Sequence, residues 1–113
     1  MTIIHHGNGS VSCDPIPGYE KLAEVLLAAY QQAGAGKGKE RHAYGEDPFH
    51  EQDICTEART LGLAAPAFQA RKKIKEALRL YELYGTDEAK PDLLGAINYI
   101  AAMIIAMERE ANK

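Results

Sequence analysis

Cysteine is scarce in this 113-residue chain. Only Cys13 and Cys55 are present, which allows one bridge at most and excludes a disulfide framework. No apolar leader precedes them, so the expected setting is reducing and cytoplasmic. Positive charge is not in excess: 13 Lys and Arg against 16 Asp and Glu leave a net charge of -3. That balance argues against long nucleic acid or an anionic membrane as partner, and any affinity for phosphate has to be local. The longest apolar stretch, Leu93 to Met107, is broken by Gly95 and Asn98 and falls short of the roughly 20 residues that cross a bilayer. It is expected to be a core helix, not a membrane anchor. No run of alternating apolar residues remains to build a sheet.

What is there is a folded composition, 46% hydrophobic and 26% charged, of a size for one domain. Residues 1–18 combine Gly7, Gly9, Gly18, Pro15 and Pro17 without apolar period, and read as an irregular arm before a single helical domain over 19–113. From Tyr19 to Ala33, Leu22, Val25, Leu26, Ala29 and Tyr30 recur at three and four residues, the spacing of one helical face, with Gly34 as its stop. Asp47 and Pro48 suit the start of a short helix to Leu61, with Ile54, Ala58 and Leu61 facing inward. Cys55 reads as a small core residue.

A third helix is predicted from Pro66 to Tyr84, its stripe being Ala67, Ala70, Ile74, Ala77, Leu78, Tyr81 and Tyr84, and Gly85 closes it. The last helix is predicted from Thr86 or Asp87 to about Glu110, with Pro91 in its first turns. The expected fold is therefore all-α: three main helices and a short one, the last two forming an antiparallel hairpin crossed by the first. Leu93, Leu94, Ile97, Ile100, Ala101, Ile104 and Ile105 cover more than one face of the last helix. That surplus fits either the centre of an ordinary bundle or a homo-oligomer, which is the expected state, and Asn98 has the chemistry to fix register between paired helices.

Chemistry concentrates in two basic segments. In Gly36-Lys37-Gly38-Lys39-Glu40-Arg41-His42, small residues let backbone amides approach an anion while Lys37, Lys39 and Arg41 neutralise it. A solvated basic loop has the same composition. Neither GxxxxGK[ST] nor GxGxxG is present. Arg71, Lys72, Lys73, Lys75 and Arg79 form the second cluster, with only Glu76 against them; a soluble outer helix face is the alternative. Together the two would hold a phosphate-bearing nucleotide, with Gln69 bonding to base or sugar, Tyr44 or Phe49 stacking, and His42 at the margin. The candidate ligand set is Lys37, Gly38, Lys39, Arg41, His42, Tyr44, Gln69, Arg71, Lys72 and Lys75. No metal spacing or cofactor motif is found, and no catalytic residue is assigned. Glu40, Glu46, Asp47, Glu51 and Asp53 are the carboxylates nearest the loop in sequence and have the chemistry to hold Mg²⁺.

Asp92 to Tyr99, DLLGAINY, is similar in rhythm to the motif of the MazG-like all-α nucleoside triphosphate pyrophosphatases. That resemblance implies a Mg²⁺ enzyme with paired acidic residues on this helix and on the preceding one. Here the matching positions are Leu93 and Ala96, and the preceding helix reads ARKKIKEALRL.

The whole chain resembles small phage proteins in which several features recur: a GKGKERHA-type segment, Pro48, Phe49 and Gln52, a QA-x-KK-type helix with Gln69, Ala70, Lys72 and Lys73, and a LLGAINYIAA ending. This resemblance is compatible with phage anti-defence sponges, oligomers that sequester cyclic-oligonucleotide or ADP-ribose-type signals. The expected function is non-catalytic nucleotide sequestration, the alternatives being a divergent pyrophosphatase and a protein-partner module.

Overall fold

The computed structural model describes residues 2–35 and 48–111. The expected all-α architecture is found. Four helices, α1 (Glu20–Ala35), α2 (Asp53–Leu61), α3 (Ala64–Tyr84) and α4 (Thr86–Ala111), make up most of it. One 3-10 turn, Phe49–Glu51, precedes α2.

The arm is less irregular than its composition suggests. Strands β1 (Ile4–His5) and β2 (Val11–Ser12) pair antiparallel, with Ile4 opposite Ser12 and His5 opposite Val11. The turn between them is closed by the His6 amide on the Ser10 carbonyl at 2.9 Å, and Asn8 Oδ1 accepts from the Ser10 amide and hydroxyl. Local polar bonds build this hairpin without any apolar alternation, so periodicity had no signal to offer.

α3 and α4 form the hairpin at the centre of the molecule, joined by the single residue Gly85. Its φ of 95° is open to glycine at little steric cost, and its amide donates to the Tyr81 carbonyl at 3.0 Å as the helix ends. Gly62 ends α2 in the same way. The central cluster joins Ile54 and Cys55 of α2, Ala70 of α3 and Ala96, Tyr99 and Ala102 of α4, with Phe49 and Ile105 packed at its edge. Among the described residues, eight of the twelve buried apolar side chains are alanines. Small side chains let helix backbones approach closely, so the core is made by proximity and little by bulk.

The large apolar residues are correspondingly displaced outward. Leu22, Val25, Leu26 and Tyr30 of α1 are exposed and Ala29 alone of that predicted face is buried, because α1 packs chiefly against α4 and only a narrow strip of it is covered. Of the α3 stripe, Ala70 and Ala77 are buried while Ile74, Leu78, Tyr81 and Tyr84 are exposed. Leu61 is exposed, whereas Ile54 and Ala58 face inward as expected. Gly34 does not stop α1, which continues to Ala35. α4 is longer than its apolar core run, and its length and composition also satisfy those of a membrane span.

Candidate anion-binding face

The Gly/Lys segment with Lys37, Gly38, Lys39, Arg41, His42 and Tyr44 lies outside the described residues, as do Glu40, Glu46 and Asp47. The candidate site is therefore built on α3. Phe68, Arg71, Lys72 and Lys75 stand at i, i+3, i+4 and i+7, the spacing that aligns side chains on one face of a helix. All four are exposed, Phe68 by 63%. This face lies opposite Ala70 and Ala77, which are buried. Among the described residues Arg71, Lys72 and Lys75 have no carboxylate partner.

The other two basic residues of the cluster are engaged within the chain. Arg79 Nε and Nη2 both donate to the Glu76 carboxylate one turn back, in a forked pair. This hydrogen bond holds the Glu76 carboxyl below its ordinary range and raises the guanidinium further. Lys73 turns toward α4, where its Nζ lies 3.7 Å from Asp92 Oδ1, with both side chains largely covered. The sequence cluster is thus split by helical geometry: three cations project outward, one pairs along the helix and one pairs between helices.

Gln69 is half-buried. At 100° per residue it stands about 160° from Arg71 around the helix, so these two predicted ligands do not share a face. Phe49, proposed for stacking, packs against the core cluster. Phe68 is the aromatic residue that stands among the cations, and sequence reasoning missed it because it was weighed against neither stripe; its i+3, i+4 and i+7 relation to Arg71, Lys72 and Lys75 was the available signal.

Arg109 Nη1 donates to the His50 carbonyl at 2.8 Å, tying the end of α4 to the 3-10 turn that precedes α2. His50 Nε2 lies 3.8 Å from Glu51 on the surface. Among the described residues no group of three or more His, Cys, Asp or Glu side chains is placed to hold a metal ion. Cys55 is buried in the core cluster, and burial pushes its thiol up to about 11.

The chain matches no family model, no curated protein and no solved structure.

Proposed function

We propose that the protein is a non-catalytic binder that sequesters a phosphate-bearing nucleotide signal of cyclic-oligonucleotide or ADP-ribose type, acting as a homo-oligomer in the cytoplasm of a phage-infected host. The observation that carries this reading is the outer face of α3, where Arg71, Lys72 and Lys75 stand around Phe68 without a carboxylate partner among the described residues. A guanidinium and two ammonium groups suit phosphate, and an exposed ring suits the face of a base. The Lys37, Lys39 and Arg41 segment supplies a second set of cations in the same chain.

The test is calorimetric titration of the full chain with cyclic dinucleotides, cyclic trinucleotides and ADP-ribose derivatives at two salt concentrations. Arg71→Ala with Lys75→Ala is expected to weaken binding at least tenfold at low salt and by a smaller factor at high salt, since exposed charge contacts are screened. The nucleotide is expected to be recovered intact after incubation with Mg²⁺. Conversion to a monophosphate and pyrophosphate would support the pyrophosphatase alternative, and absence of binding across the panel would end the nucleotide reading.

A further inference from the structure

α4 is apolar on two sides. Its inward side carries Leu94, Gly95, Asn98, Tyr99, Ala102 and Ala106, all buried, while Leu93, Ile100, Ile104 and Met107 are exposed and Ile97 half-exposed. Those five residues, Leu93, Ile97, Ile100, Ile104 and Met107, are spaced 4, 3, 4 and 3. That is the d-a-d-a-d order of a coiled-coil seam, and a straight helix keeps it within one stripe over two heptads. We infer that this stripe is an interface on which a second copy of the chain docks its own α4 in antiparallel orientation.

Three observations select a second copy. The first is continuity: Leu93, Ile100, Ile104 and Met107 are each 43–52% exposed, so the stripe is one apolar strip along about four turns of α4, the form of surface that another helix covers.

The second is the one-sidedness of the stripe. The opposite side of α4 is engaged by its own chain, with Asn98 bonded to α1 and Ala102 in the core cluster, and Ala96 and Tyr99 carry that cluster round to one flank of the stripe. A bilayer would instead reward an apolar surface all round.

The third is charge. Lys90 and Glu108, both exposed, stand near opposite ends of the stripe. Parallel helices would bring like charges together at each end. Antiparallel helices bring Lys90 of one copy to Glu108 of the other and oppose the two helix dipoles.

The register follows from pairing a positions with d positions. Ile97 then layers on the second copy's Ile100, and Leu93 on the second copy's Ile104. Two-fold symmetry repeats both layers, giving four aliphatic layers and one self-complementary interface. This deepens the homo-oligomer reading. It does not depend on the anion site, and dimer dissociation is scored separately from nucleotide binding.

The experiment is sedimentation equilibrium on the full chain, with circular dichroism as the folding control. Ile104→Glu is expected to raise the dimer dissociation constant at least 100-fold with helix content kept. Lys90→Glu is expected to weaken the dimer severalfold, and Lys90→Glu combined with Glu108→Lys to restore it, a reversal that unfolding cannot mimic. In a Cys13→Ser background, Leu93→Cys protein mixed with Ile104→Cys protein should cross-link on oxidation, while Leu93→Cys alone should not. The two copies of position 93 would be separated by about 11 residues, or roughly 16 Å, beyond disulfide reach. A monomer at micromolar concentration, self-linking of Leu93→Cys, a dimer indifferent to Ile104→Glu, or partition of the protein into lipid vesicles would each overturn the proposal.

Discussion

Asn98 in the middle of α4 donates through Nδ2 to the carbonyl of Ala29 in α1, at 3.0 Å, and both residues are buried. Two turns earlier on α4, Pro91 presents its carbonyl to Gln32 Nε2 at 3.1 Å. α1 is thus docked by a short polar seam while its leucines remain on the surface. Two side-chain amides locate a helix whose apolar contact is thin, because a buried amide without a partner costs more than a misplaced methyl group.

Asn98→Ala is therefore expected to lower the unfolding free energy by about 1–2 kcal/mol and to loosen α1 selectively. Hydrogen exchange should quicken in Glu20–Ala35 more than in the α3–α4 hairpin. Equal acceleration in both would mean that Asn98 supports the core generally and not the docking of α1.

Gly95 lies under Lys73, and a Cβ added there would meet Lys73 Cδ at 3.0 Å and Cε at 3.1 Å. The obstacle is the flexible end of a side chain, which moves readily. Alanine also recovers up to about 1 kcal/mol of helix propensity. Gly95→Ala is expected to leave stability within about 1 kcal/mol of the parent, with a weakened Lys73–Asp92 ion pair. Gly95→Val, with more bulk between α3 and α4, should cost about 1–3 kcal/mol. Chemical denaturation of both variants checks the order.

The two thiols should separate cleanly. Cys13 is exposed and Cys55 buried, so a thiol reagent at pH 8 is expected to label Cys13 alone in the native protein and both after denaturation. The Cys55 thiol, raised from 9.0 to about 11, keeps its proton in the folded state when the unfolded chain has already lost it. Its contribution to stability is present below pH 9 and declines as pH rises toward 11. Cys55→Ala should flatten that part of the pH profile, even if it lowers stability overall.

Phe68 provides a test of stacking that charge removal cannot. Phe68→Ala is expected to leave helix content unchanged, weaken nucleotide binding about fivefold or more, and leave the affinity for inorganic phosphate as it was. Equal loss for both ligands would assign Phe68 to shaping the helix surface and not to contacting a base.

Periodicity over 64–111 was enough to place α3 and α4, and the hairpin follows because one glycine separates two long amphipathic runs. Gly62 and Gly85 marked true helix ends, since in both the backbone takes a positive φ that glycine tolerates. Gly34 carried the same letter without that conformation, and α1 runs through it. The Arg71, Lys72 and Lys75 face was legible as charge, whereas the removal of Lys73 and Arg79 from it was not. Pairing with Asp92 depends on the approach of α4, and pairing with Glu76 on one rotamer choice among several.

The sequence by itself determined the course of α3 and α4 and the turns at Gly62 and Gly85, because spacing and glycine act on neighbouring residues only. Tertiary structure decided which members of each expected stripe are inside. Leu22 shares its stripe with Ala29 and Ile74 shares its stripe with Ala70, yet only the alanines are buried, and on α4 Ile104 is exposed where Ala102 is buried. Only the close approach of backbones selects the alanines for the interior and leaves the larger side chains on the surface.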